Sequence, residues 1–374
     1  MSDSAFSSSD HQWMARALQL AELGLWGTRP NPRVGCVLVR DGVLVGQGWH
    51  ARAGDAHAEV HALRAAGRDA SGATAYVTLE PCAHHGRTPP CVDALINAGV
   101  AEIVMAMRDP NPAVGGRGRQ KLRAAGMIVR EGVCKQQAHA LNPGFVRRML
   151  AGRPWVRCKL AASLDGRTAM ASGESRWITS PAARADVHRW RARSCAIVTG
   201  SGTVQADDPA LTVRDVPQAA DVPPPLRVVL DSSLSTPPDA AVVRAPGPAL
   251  VLTTRDGGDQ RLALQRGGAE VETLPAGPHG LDLEAVLMAL GRRLINEVLV
   301  EAGPTLAGAF VSAGLVDELI LYQAPHLMGH EGRPLLQLPG LERMAQRLPL
   351  ELLDVRRIGS DIRVLARPRS TQEG

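Results

Sequence analysis

Hydrophobic positions along the chain switch repeatedly between helical and strand spacing, which predicts alternating helices and strands. Met14, Leu18, Ala21 and Leu25 recur at three- to four-residue intervals and form one face of an amphipathic helix. Pro30-Asn31-Pro32-Arg33 breaks it ahead of an apolar strand over residues 34–39. Asp41-Gly42 is a hairpin turn joining that strand to a second over 43–48. Asn31 and His50 bracket the hairpin, as pocket-lining or as turn and capping residues. Helix 58–66, strand 74–79, helix 92–98, strand 102–107, a basic helix 117–125, strand 127–129 and a helix 135–150 follow.

Ala151-Gly152-Arg153-Pro154 then marks a boundary, giving expected domains 1–152 and 153–374. A second alternation begins with strand 155–162, a loop Ser163-Leu164-Asp165-Gly166-Arg167, and a capped helix start at Thr179-Ser180-Pro181. Strand 196–199 enters Gly200-Ser201-Gly202-Thr203, and further strands are predicted at 227–231, 249–253, 269–274 and 297–300. The proline-rich run 221–225 reads as a surface loop inside this domain. The fold class is α/β, with the first half an α/β/α sandwich.

Composition narrows the setting. At 374 residues and 45% hydrophobic the chain can bury two cores. The first ten residues are polar and serine-rich, and no apolar run is long enough to span a bilayer. Cys36, Cys134, Cys158 and Cys195 sit singly in apolar or helical stretches without disulfide spacing, which points to the cytoplasm. A net charge of +5 is small and dispersed, and 3% aromatics offer no stacking platform, so nucleic acid is not the expected partner. A few arginines suffice for a phosphorylated metabolite.

The candidate chemistry lies between His57 and Cys91. Zinc nucleobase deaminases carry H-x-E followed by P-C-x-x-C. His57-Ala58-Glu59 and Pro81-Cys82 match, but the second cysteine, Cys91, comes nine positions after the first. One imidazole and two thiolates leave zinc an open position for water, whose pKa falls to about 7 and makes hydroxide available. Glu59 is placed to carry protons from that water to departing ammonia. His61 offers a zincin-like pair with His57, but the pattern is H-A-E-V-H rather than H-E-x-x-H. His85 is an alternative to Cys91, and His84 or His85 as a fourth ligand would close a purely structural site. Cys91 follows Pro89-Pro90 at a helix start, where the dipole favours a thiolate, so the chosen set is His57, Cys82 and Cys91.

In the second half, an apolar strand runs into Glu301-Ala302-Gly303-Pro304-Thr305-Leu306-Ala307-Gly308-Ala309, a strand-glycine-helix junction suited to a phosphate. It is no G-x-G-x-x-G fingerprint, and Gly200 to Thr203 is only a partial one. Asp207-Asp208-Pro209 to Arg214 reads on physics alone as a solvated loop.

With these motifs in this order, nearly the whole chain resembles the bifunctional riboflavin-biosynthesis deaminase/reductase family. His57-Ala58-Glu59, Pro81-Cys82 and Thr88-Pro89-Pro90-Cys91 resemble its deaminase half, including the long cysteine spacing. Residues 159–167, 173–180, 206–214 and 301–309 resemble its reductase half. The resemblance implies a cytidine-deaminase-like first domain and a dihydrofolate-reductase-like second one. It implies zinc-dependent deamination of 2,5-diamino-6-(5-phosphoribosylamino)pyrimidin-4-one, then NADPH reduction of the ribosyl group. It places Ala161, Trp177, Thr203, Asp207, Ser232 and the run Gly303, Pro304, Thr305, Leu306, Ala307, Gly308 and Ala309 against NADPH. Ser175, Arg191, Leu211, Arg214 and Glu301 would hold substrate, with Lys159 and Asp207 handling protons. The expected partners are this phosphorylated pyrimidine and further copies of the chain, without nucleic acid or membrane. The competing readings are a nucleic-acid-editing zinc deaminase with a non-catalytic second domain, a deaminase whose second domain only binds, and a zinc-stabilised binding module.

Overall fold

Burial along residues 35–40 dictates the layering of the first unit. Cys36 and Leu38 belong to one buried cluster and Val37 and Val39 to another, so this strand needs a helical layer on each face. The structure, a computed structural model, describes residues 6–85, 89–278 and 280–369; Thr88 of the family match and residues 1–5 of the polar N-terminus lie outside them. Two compact units divide between Gly152 and Arg153.

In chain order the first unit contains α1 (Ser8–Glu22), β1 (Gly35–Arg40), β2 (Val43–Trp49), α2 (Ala58–Ala66), β3 (Thr74–Val77), α3 (Cys91–Asn97), β4 (Glu102–Met105), α4 (Arg117–Ala124), β5 (Ile128–Glu131), α5 (Lys135–Leu141) and α6 (Pro143–Ala151). Asp41 and Gly42 both take positive φ, 52° and 76°, the backbone a tight two-residue hairpin requires. The sheet order is β2-β1-β3-β4-β5, with β1 antiparallel to both neighbours and β3, β4 and β5 parallel. Residues of α2, α3 and α4 cover one face; α1 and α5 cover the other.

Two expectations are corrected here. Leu25 lies beyond α1, which ends at Glu22. The helix expected over 135–150 is two helices, because Pro143 has no N–H to donate into a continuing helix. The freed Asn142 side chain accepts Arg33 N at 2.8 Å and donates to Arg33 O at 2.8 Å, pinning the segment that follows Pro30-Asn31-Pro32.

The second unit contains β6 (Trp155–Ser163), β7 (Arg167–Ala169), α7 (Pro181–Arg193), β8 (Ala196–Gly200), α8 (Ser201–Asp207), β9 (Leu226–Leu230), α9 (Ala241–Arg244), β10 (Ala249–Thr253), α10 (Asp259–Arg266), β11 (Ala269–Thr273), β12 (Ala276–Gly277), β13 (Gly280–Leu281), α11 (Leu283–Arg292), β14 (Glu297–Glu301), α12 (Pro304–Ser312), β15 (Glu318–Ala324), β16 (Arg333–Pro334), β17 (Leu350–Ile358) and β18 (Asp361–Pro368). Its nine-stranded sheet runs β11-β10-β9-β8-β14-β6-β15-β18-β17, parallel as far as β15 and antiparallel beyond. Every residue of the central β14 is buried, as a parallel strand covered on both faces must be. Because β6, β14, β8 and β9 are consecutive and parallel, their C-terminal ends share one edge, the position where open α/β sheets hold ligands. No helix of the described residues is long and apolar enough to cross a membrane.

Candidate active sites

Two glycines set the first site. A Cβ on Gly48 would stand 2.5 Å from His61 Cβ and 2.7 Å from Ala58 O; one on Gly46 would stand 2.3 Å from Ala62 O. Their bare backbone lets α2 lie against β2, which fixes the start of α2 where His57 is the N-cap and Glu59 is in the first turn. We expect Gly48→Ala to push α2 off the sheet and lower zinc retention in dialysis against a chelator; unchanged retention would contradict this.

Cys91 opens α3, and its N–H donates to Cys82 Sγ at 3.3 Å. His57 Nδ1 is 3.2 Å from Cys91 Sγ and 3.6 Å from Cys82 Sγ, and all three ligand atoms lie within 4.8 Å of one another. A tetrahedral ion with Zn–N near 2.05 Å and Zn–S near 2.3 Å has N–S edges of about 3.6 Å, so the donor set fits zinc. None of the six cysteines is in a disulfide. Among the described residues His57, Cys82 and Cys91 are the one group that could hold a metal; His84 and His85 are exposed, and His61 is a turn further along α2.

Glu59 is buried beside this triad. Burial first, then the negative charge at Cys82, pushes its carboxyl up to about 7. Cys82 is held down to about 4, chiefly by the hydrogen bond from the Cys91 thiol, and Cys91 is correspondingly raised. His50, buried, stacks edge-on against His57 with ring centroids 5.3 Å apart and meets Asn31 Nδ2 through Nε2 at 3.1 Å. The hairpin thus delivers His50 to the His57 ring, with Asn31 held against His50. Burial lowers the pKa of His50, keeping its ring neutral.

Sequence reasoning missed Glu80. Its buried carboxylate accepts N–H groups from Asp109 at 3.1 Å, Gly116 at 2.9 Å and Arg119 at 3.0 Å, tying the loop before α4 and the first turn of α4 to the Pro81-Cys82 segment. The signal available was a charged residue at the end of an apolar strand. Glu80→Ala leaves three donors without their acceptor, and at about 1–3 kcal/mol per stranded buried group we expect a stability loss of roughly 3 kcal/mol in urea denaturation. A loss below about 1 kcal/mol would contradict the assignment.

The second site gathers at the shared strand edge of the second unit. Arg191 of α7 grips the Glu301 carboxylate with Nε at 2.6 Å and Nη2 at 2.9 Å, and Lys159 Nζ of β6 lies 3.6 Å from Glu301 Oε2. Burial works to raise the pKa of Glu301, but these two cations outweigh it and hold the carboxyl down to about 2. Thr203 Oγ1 accepts Gly303 N at 3.3 Å, joining the turns after β8 and β14. Arg176 reaches both the main-chain oxygen and the carboxylate of Asp207, bringing the segment of half-buried Ser175 and exposed Trp177 to the end of α8. The Arg184 guanidinium lies 4.4 Å above the Trp177 ring.

Ala161 is half-buried on β6, and Ser232 follows β9, its carbonyl accepting Thr254 Oγ1 at 2.8 Å. Arg214 is exposed, whereas the Leu211 side chain is buried in the core. In α12, Pro304, Ala307 and Gly308 are buried, Leu306 and Ala309 half-buried, and Thr305 exposed, donating to Gln337 Oε1 at 2.8 Å. A Cβ on Gly308 would meet Gln337 O at 2.1 Å, so this glycine answers to the Gln337 loop.

The family model described as the RibD C-terminal domain matches residues 154–364, and that of the cytidine and deoxycytidylate deaminase zinc-binding region matches 7–107. The riboflavin biosynthesis protein RibD of Escherichia coli is 53% identical, over 94% of this chain and 98% of its own length. The chain belongs to the RibD family. It is therefore a bifunctional deaminase and reductase of riboflavin biosynthesis. RibD of Haemophilus influenzae is 45% identical over 97% of this chain and 99% of its own. The Acinetobacter baumannii RibD structure superposes with a TM-score of 0.90 at 46% identity, covering 97% of this chain and 99% of its own. A Thermotoga maritima structure described as a diaminohydroxyphosphoribosylaminopyrimidine deaminase / 5-amino-6-(5-phosphoribosylamino)uracil reductase gives 0.83 at 33% identity, covering 96% and 99%. The RibD architecture expected for both halves, a cytidine-deaminase-like domain followed by the reductase domain, is present.

Proposed function

We propose that this RibD-family chain deaminates 2,5-diamino-6-(5-phosphoribosylamino)pyrimidin-4-one in its first unit and reduces the ribosyl group of the product in its second, yielding 5-amino-6-(5-phosphoribitylamino)uracil. The observation carrying this reading is the one-nitrogen, two-sulfur cluster with a buried carboxylate beside it. The cofactors are zinc and NADPH. His57, Cys82 and Cys91 hold the zinc, which supplies Lewis acidity toward water; NADPH supplies the hydride.

Glu59 takes a proton from the attacking water and returns it to the departing amine. Asn31 and neutral His50 orient the pyrimidine. In the second unit the anionic substrate meets Arg191, Arg214, Ser175 and Glu301 with the Leu211 backbone, and a planar guanidinium fork suits its phosphate. Ala161, Trp177, Thr203, Asp207, Ser232 and the stretch 303–309 form the NADPH site, within which buried Ala307 and Gly308 pack the start of α12, and Lys159 and Asp207 move the proton that accompanies hydride. Supplying the diaminopyrimidine should give ammonia before NADPH is oxidised; oxidation without prior ammonia release would overturn this order.

The compartment is the cytosol, nucleic acid is not a substrate, and the chain forms a homo-oligomer. Supporting the last point, β17 is the open edge of the nine-stranded sheet and exposes Leu350, Leu352, Leu353 and Val355. Its acidic Glu351 precedes basic Arg356 and Arg357, so antiparallel pairing with a second copy aligns opposite charges. Leu352→Lys is expected to reduce the mass measured by light scattering to that of a monomer with both activities retained; an unchanged oligomer would refute this edge.

A further inference from the structure

We propose that His188 is a positioning residue for the phosphorylated substrate of the reductase: its imidazole aims Arg214 by accepting that residue's main-chain N–H. The inference rests on the reading that Arg214 holds substrate. On α7, Val187 and Trp190 are buried toward the sheet, while His188 and Arg191, three residues apart, share a neighbouring face. Arg191 is committed to Glu301 and to Thr212 O, the latter at 3.1 Å. The following loop is pinned at buried Leu211 and buried Val216, and Arg214 stands exposed between them.

Arg214 N donates to His188 Nδ1 at 3.2 Å, while its guanidinium lies 3.4 Å from His188 Nε2 and 3.4 Å from Thr212 Oγ1. These guanidinium neighbours are neutral, so its charge is available to an anion. With Nδ1 accepting, the proton of the neutral ring is on Nε2, which does not accept from the guanidinium; the ring acts by fixing the main chain from which the Arg214 side chain departs.

Accepting that N–H requires Nδ1 to be unprotonated. Burial first, then Arg191 on the same helix and Arg214 on the facing loop, lower the pKa of His188; Glu301 on β14 and the Thr212 backbone act in the opposite sense. The ring is therefore neutral at neutral pH. Acidification turns the acceptor into a donor facing a donor, and the contact that sets Arg214 is lost.

The test is steady-state reduction of the deaminated substrate by the full-length zinc protein. His188→Leu should raise the KM for this substrate about tenfold, the scale of one hydrogen bond positioning a charged group, with kcat and the KM for NADPH within about twofold. His188→Asn keeps an acceptor near the Nδ1 position without titrating, and should return KM to within about threefold of the parent. The substrate phosphate titrates near pH ~6 in every variant, so the readout is the difference: the parent KM should rise more steeply than that of His188→Asn as pH falls below ~6.5. Equal pH profiles, or a rise in NADPH KM as large as that for substrate, would overturn the proposal. Arg214→Ala separates the two layers. If it leaves substrate KM unchanged, the role of Arg214 fails and the inference with it; if it raises KM while His188→Leu does not, the inference alone fails.

Discussion

Glu59→Gln is expected to lower ammonia release by about 10²–10⁴-fold, leaving zinc content unchanged and reduction of pre-deaminated substrate intact. The amide preserves the volume and buried position of the side chain but cannot accept a proton from water and return it to an amine. Zinc should stay because Glu59 is not among the three clustered ligand atoms; they come from His57, Cys82 and Cys91. The reductase residues lie in the other compact unit, from Arg153 onward, so their step serves as an internal control. Release of ammonia at the parental rate would remove Glu59 from the proton path. Loss of both activities in a folded, zinc-loaded protein would contradict independent sites.

Glu301→Gln is expected to abolish reduction and to destabilise the second unit by about 3–5 kcal/mol, the cost of removing one partner from a buried charge cluster. Arg191 and Lys159 both face this carboxylate, and the glutamine can satisfy one guanidinium N–H but cannot neutralise either cation. The pH dependence has a defined sign. A carboxyl held down to about 2 in the fold, against an unfolded value of ~4.3, contributes stability that is present above ~4.3 and is lost as pH falls toward about 2. The parent should therefore lose stability more steeply than Glu301→Gln on acidification below pH ~4.3. Calorimetry with NADPH-oxidation rates measures both effects; a variant that melts and reduces like its parent would refute the role of this cluster.

Much of the architecture was legible because local signals agreed. Asp41-Gly42, Ser180-Pro181 and the unbroken apolar run over residues 34–39 each admit few structures, and the fold uses the expected one. The metal cluster was legible because H-x-E and P-C restrict the chemistry even when Cys91 is displaced from the short motif. The long helix was misread because helical spacing continues past residue 142, although Pro143 forbids a continuous hydrogen-bond ladder. The partners of Glu80, Asn142 and His188 were out of reach for a different reason. Each of these side chains acts on backbone distant in sequence, on residues 109–119, Arg33 and Arg214 respectively, and no local period reports such a pairing. The reductase residues beyond the Glu301 junction came from family resemblance, since strand-glycine-helix turns are common in α/β folds.

The central claim is most directly tested by counting zinc per chain in the purified protein and in Cys82→Ser/Cys91→Ser. The account predicts one zinc in the parent and none in the double variant, with the second unit still oxidising NADPH on deaminated substrate. A parent without zinc, or a double variant that keeps it, would contradict the account.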